Sequence, residues 1–124
     1  MKKEMLSSYA PEPIGPYSQG ILTESTIYLS GQLPIDALTG NIGTTIEEQT
    51  KLCLENLNHI LNTNNMDMSN IVKTTIFLDD ISDFVVVNDI YGSYFTAPFP
   101  ARSTIQVEKL PKDALIEIEA IAVK

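Results

Sequence analysis

Apolar residues recur along this chain with two different periods. Cys53, Leu57, Ile60 and Leu61 follow spacings of three, four and seven, the repeat of one helix face. Ahead of them, Thr45-Ile-Glu-Glu48 has capping-box spacing: the Thr45 hydroxyl accepts from the Glu48 amide while the Glu48 side chain reaches back to the cap. The pattern predicts a helix over about 46–62, terminated by Asn62 to Asn65. Phe84, Val87, Tyr91 and Phe95 trace the apolar face of a second helix after Ser82, and Pro98 and Pro100 stop it.

Elsewhere the period is two. Thr26 to Ser30, Val72 to Leu78, Ser103 to Val107 and Ala114 to Val123 read as strands, and a short partner around Ile21 and Leu22 makes a hairpin with the first. Gly31 ends that first strand, and the turn-rich stretch from Pro34 to Gly43 has room for a short edge strand. Pro11, Pro13 and Pro16, with Gly15 among them, predict an ordered loop near the N-terminus. The resulting order, ββ(β)αβαββ in one domain spanning 1–124, is α+β. Two helices suffice to cover one face of a five- or six-stranded sheet and leave the other for solvent or another subunit.

The last strand bears on that choice. Ile116, Ile118, Ala120 and Ala122 share one face; Leu115, Glu117, Glu119, Ile121 and Val123 share the other, which is not cleanly polar. Leaving its three aliphatic side chains in water would forgo roughly 1.5–3 kcal/mol each. We therefore expect neighbouring copies of the chain to cover this face.

Composition narrows the partners. Sixteen acidic against eight basic residues give a net charge of −8, which repels polyphosphates and argues against nucleic acid. Cys53 is the only cysteine, so no intrachain disulfide forms and a cytoplasmic setting is expected. No stretch approaches the ~20 apolar residues needed to span a bilayer, and no targeting segment is evident, so no membrane partner is expected.

Familiar catalytic constellations are missing. There is no Cys/His cluster, P-loop or dinucleotide glycine pattern, so neither metal nor cofactor is expected. The single histidine, His59, lies on the edge of the first helix and reads as a solvated structural residue; Cys53 falls on the apolar stripe and reads as core. Arg102 stands at the start of a strand after Phe99-Pro-Ala, where it suits either bidentate capture of a carboxylate or an ordinary surface ion pair. Glu117 sits mid-strand among apolar neighbours. Burial there would raise its pKa and make it a proton shuttle near neutrality; exposed, it would only solubilise the sheet.

Several segments together resemble one family. Ile14-Gly-Pro-Tyr-Ser-Gln19, Leu29-Ser-Gly-Gln-Leu-Pro34, Phe99-Pro-Ala-Arg-Ser-Thr104, Leu110-Pro-Lys-Asp113 and Ile116-Glu-Ile-Glu-Ala120 match the RidA (YjgF) family in order and spacing, as do Asp83-Phe84 and Val87-Asn88. The resemblance covers Ala10 to Val123. It implies a chorismate-mutase-like fold and a homotrimer whose sheets form a central barrel, with ligand sites between subunits. The implied activity is hydrolysis of short 2-imino and enamino acids (2-iminobutanoate, 2-iminopropanoate) to 2-keto acids and ammonia. On this resemblance Arg102 binds the substrate carboxylate and Glu117 positions the attacking water. Backbone groups near Gly31 and Thr104 and the side chains of Tyr17, Ser30 and Asn88 shape the cleft, although Asn88 serves equally well as a helix brace. Many relatives carry cysteine where this chain has Thr104, so no thiol acts there, and Glu108 replaces a commonly small or basic residue. A noncatalytic 2-keto-acid-binding module using the same arginine is the alternative. Ribonuclease activity suits an acidic chain poorly. Chaperone-like activity is also attributed to the wider family.

Overall fold

The first period-two segment becomes the third arm of a meander. In the computed structural model, which describes residues 1–124, β1 (Lys3–Met5), β2 (Gly20–Thr23) and β3 (Thr26–Gln32) run antiparallel to one another. They are followed by α1 (Ile46–Asn62), β4 (Ile71–Leu78), α2 (Phe84–Ser93), β5 (Ala101–Gln106) and β6 (Ile116–Val123). The strands form one six-stranded sheet in the order β1-β2-β3-β6-β4-β5. Only β4 and β5 are parallel, because α2 carries the chain back across the sheet between them.

The expected edge strand within 34–43 reduces to a single bridge between Ile35 and Ile42. The additional strand is β1 instead, which lies before the proline loop and is too short and polar to show a period. The capping box at α1 is also modified. Thr45 Oγ1 accepts from the Glu48 amide at 3.1 Å, but the Glu48 carboxylate reaches the amide and hydroxyl of Thr44, one residue before the expected partner. The second helix is introduced by a 3₁₀ turn, Ile81–Asp83, capped by Asp80 rather than Ser82.

Both helices pack on one face of the sheet. Cys53, Leu54, Leu57, Ile60 and Leu61 of α1 and Ile116, Ile118 and Ala122 of β6 are entirely buried in one cluster of 20 residues. Cys53 is core, as its place on the stripe requires, and its thiol faces the Ile116 carbonyl. Val87 and Tyr91 of α2 join the cluster, but Phe84 does not: it is 37% exposed at the start of the helix. His59 is half-buried, its ring 5.8 Å from that of Tyr9.

The alternation in β6 holds residue by residue. Ile116, Ile118, Ala120 and Ala122 are buried, whereas Glu117, Ile121 and Val123 are half-buried and Glu119 is exposed. The second sheet face is thus open in the isolated chain. No helix is long and apolar enough to cross a membrane.

Candidate active site

Three buried amide side chains hold the loops at one end of the sheet. Gln19 accepts from the Ser7 amide at 2.7 Å and donates to the Ser7, Ala10 and Pro11 carbonyls, pinning the proline loop that carries Tyr17. Asn56 donates to Leu33 and Ile35, and Gln49 donates to Gly43 while accepting from the Leu115 amide. At about 1 kcal/mol per bond, these contacts make a rigid frame of segments with no regular structure.

Within that frame β3 bulges. Its pairing with β6 shifts between Leu29 and Gln32, so Ser30 and Gly31 together stand against Glu119 alone. The displaced backbone lets Ser30 Oγ donate to the Ser18 carbonyl and the Ser30 amide to Gln19. It also brings Gly31 under Glu117: a β-carbon on Gly31 would stand 2.9 Å from Cδ of that carboxylate. Tyr17, Ser30, Gly31 and Glu117 line one cavity of about 380 Å³ with Ile14 and Lys112. Burial, and secondarily the charge of Glu119, pushes the Glu117 pKa above the ordinary carboxylate value.

Arg102 and Asn88 belong to a different cavity, of about 280 Å³, shared with Tyr91, Gly92, Phe99 and Pro100. The Arg102 guanidinium lies over the rings of Tyr91 (5.0 Å) and Phe84 (5.4 Å), and it forms neither a salt bridge nor a side-chain hydrogen bond. Thr104, two residues further along β5, lines neither cavity, and its buried Oγ1 has no partner.

The two cavities lie on opposite faces of the sheet. Arg102 pairs with Thr74, which pairs with Ala120 on the helix-covered face; Glu117 pairs with Phe77 on the open one. One small ligand therefore cannot touch Arg102 and Glu117 of the same chain, and a site using both needs two copies. Sequence reasoning gathered these residues without assigning them to faces. It also missed the three amides and the left-handed Lys112 (φ 58°), and it read Phe84 and Tyr91 only as core. The pairing register is the signal that separates the two sets.

Comparison with known proteins agrees with this architecture. Residues 7–124 match the protein-family model described as Endoribonuclease L-PSP. The 2-iminobutanoate/2-iminopropanoate deaminase of Bos taurus is 46% identical over 125 residues, covering 100% of this chain and 91% of the relative. YyfA, a conserved Rid-family protein of unknown function from Yersinia pestis, superposes with a TM-score of 0.97 at 45% identity, covering 100% of both chains. TdcF from E. coli, crystallised with bound serine, gives a TM-score of 0.95 at 40% identity, covering 98% of each chain. The fold is the RidA-like α+β fold, and the chain belongs to the RidA (YjgF) family.

Proposed function

We propose that this protein is a deaminase that hydrolyses short 2-imino acids, such as 2-iminobutanoate and 2-iminopropanoate, to 2-keto acids and ammonia. The observation that carries the reading is the separation of a donor-rich Arg102 from a half-buried Glu117 on opposite sheet faces. In a homotrimer the open faces turn inward, and each cleft combines Arg102 and Asn88 of one copy with Tyr17, Ser30, Gly31 and Glu117 of the next. The backbone amide of Thr104 adds to the arginine side.

Each role follows from the chemistry available. Arg102 has no protein acceptor, so its planar fork is free to take a substrate carboxylate through two parallel hydrogen bonds. That fixes the imine carbon relative to Glu117 across the cleft. Glu117, its pKa raised by burial, takes a proton from water as the oxygen adds to the C=N carbon, giving a carbinolamine. It then returns that proton to nitrogen. The C–N bond breaks as the C=O bond forms, Glu117 takes the carbinolamine hydroxyl proton, and ammonia departs. An enamine substrate first takes a proton at carbon from the same acid or from an ordered water. Nothing in this sequence calls for a cofactor or metal.

The deaminase name carried by the Bos taurus relative and the amino acid bound to TdcF support a small carboxylate as ligand. The net charge of −8 weighs against RNA, despite the endoribonuclease description of the family. A cytoplasmic setting suits a chain whose one cysteine is buried and free.

The test is release of keto acid and ammonia from freshly generated 2-iminobutanoate, with wild type, Arg102→Ala and Glu117→Gln. The expected result is acceleration by wild type that both substitutions abolish, with Glu117→Gln still binding 2-oxobutanoate. No acceleration, with 2-oxobutanoate still bound through Arg102, would instead make the protein a keto-acid-binding module.

A further inference from the structure

We propose that Tyr91 is a positioning residue for Arg102, its ring fixed by burial in the core against Phe95; this rests on the reading of Arg102 as the carboxylate anchor. An anchor must point in one direction and yet keep its hydrogen-bond donors free. An acidic partner would orient a buried guanidinium, but it would also occupy those donors. Arg102 has no such partner. The only ion pair in the chain joins Lys109 and Asp113.

Two aromatic rings do the orienting instead. Attraction of a guanidinium to a ring face acts on the plane of the group and leaves its edge, where the N–H bonds point, unoccupied. Of the two rings, Tyr91 is the fixed one. It is 4% exposed, packs against Phe95 at 4.6 Å between centroids, and shares a 2.7 Å hydrogen bond between its hydroxyl and Thr74 Oγ1. Thr74 is fully buried and is the direct cross-strand partner of Arg102. The chain thus runs from β4 to α2 and back to β5, and both ends of it lie at one register position. Phe84 is over a third exposed and has only the weaker hold of a helix start.

The ring, rather than the hydroxyl, is the part that acts on Arg102. The hydroxyl and Thr74 Oγ1 satisfy one another as buried polar groups, while packing fixes the ring. Removing Tyr91's ring should therefore free the guanidinium, while removing the hydroxyl together with its threonine partner should leave it held, since no buried polar group is then stranded.

The experiment is ¹⁵N relaxation of the Arg102 Nε–H group in the unliganded protein, followed by a binding cycle. In wild type and in the Tyr91→Phe/Thr74→Val double variant, the order parameter should approach the about 0.85 of rigid backbone; in Tyr91→Leu it should fall below about 0.6. If Tyr91→Leu does not fold, Tyr91→Met fills the core without a ring face and is read in the same way. An unchanged order parameter in the ring-less variant overturns the proposal.

For binding, 2-oxobutanoate affinity should drop about tenfold in Tyr91→Leu, the scale of a cation–π contact between the exposed and the desolvated limits. It should not drop further when Tyr91→Leu is added to Arg102→Ala. A full additional loss in that background would mean that Tyr91 acts structurally and not through Arg102. A wild type that binds no keto acid would overturn the deaminase reading alone, because the relaxation measurement judges the positioning without any ligand.

Discussion

The carboxylate of Glu117 occupies the space that a side chain on Gly31 would fill. A β-carbon there would meet the Glu117 carboxyl carbon at 2.9 Å, closer than atoms of this kind pack, and Cγ at 3.1 Å, tighter than most such contacts. The bulge in β3 and the missing side chain at its second residue therefore act together to seat the proposed base.

Gly31→Ala should consequently fold but misplace Glu117. A displacement of about 1 Å of a catalytic group costs on the order of a hundredfold in rate. We expect kcat/KM for 2-iminobutanoate to fall by about that factor while 2-oxobutanoate binding through Arg102 falls far less. Wild-type turnover in the alanine variant would show that Glu117 finds an equivalent position elsewhere.

The fold was legible from sequence where a period runs for five residues or more. Both helices, the β2–β3 hairpin and strands β4 to β6 lie within a few residues of their predicted bounds. β1 was not legible, because three residues with one buried side chain, Met5, carry no period. Phe84 was misread because spacing alone does not distinguish a core ring from one that lies under an arginine at a helix start. For the candidate site, the motifs proposed Tyr17, Ser30, Gly31, Asn88, Arg102, Thr104 and Glu117; Tyr17, Ser30, Gly31 and Glu117 share one cavity, Asn88 and Arg102 share another and Thr104 lines neither, and only the pairing register divides Arg102 from Glu117. Gln19, Gln49 and Asn56 were invisible for a different reason: their partners are backbone groups in loops 6 to 66 residues away.

Glu117 should also leave a signature in stability. Burial, then Glu119, raises its folded-state pKa above the unfolded value, so the protonated form is favoured on folding. Its contribution is favourable below the unfolded carboxylate pKa of about 4.3 and is lost as pH rises through the raised folded value. Glu117→Gln should then melt higher than wild type at pH 7, with the gap closing as pH falls toward that of an ordinary carboxylate. Thermal unfolding from pH 4 to 7 measures this. A pH-independent gap would mean that the glutamine acts by packing rather than by removing a charge.

Thr104 offers a contrast between side chain and backbone. Its hydroxyl is buried without a partner, and a stranded polar group of this kind costs about 1–3 kcal/mol. Thr104→Val should raise the melting temperature, by about 4 °C for each 1 kcal/mol recovered. Turnover should be unchanged, because the proposed role uses only the backbone amide. Loss of activity with retained stability would give the hydroxyl a part in the chemistry.

The opposite-face placement of Arg102 and Glu117 makes the most specific prediction. If each cleft takes its arginine from one copy and its glutamate from the next, Arg102→Ala and Glu117→Gln are each inactive alone but complement one another when mixed. A cleft in a mixed ring is intact only when the arginine donor is the Glu117→Gln chain and the glutamate donor is the Arg102→Ala chain. With equal amounts assembled at random, about one cleft in four meets both conditions, so co-refolded protein should recover about a quarter of wild-type activity. Mixing the two proteins without dissociation should recover none. A chain carrying both substitutions, co-refolded with wild type, gives the same one-in-four fraction and calibrates the assay. If the single variants fail to complement while that control reaches about a half instead of a quarter, the arginine and glutamate come from one chain, and the composite cleft is wrong.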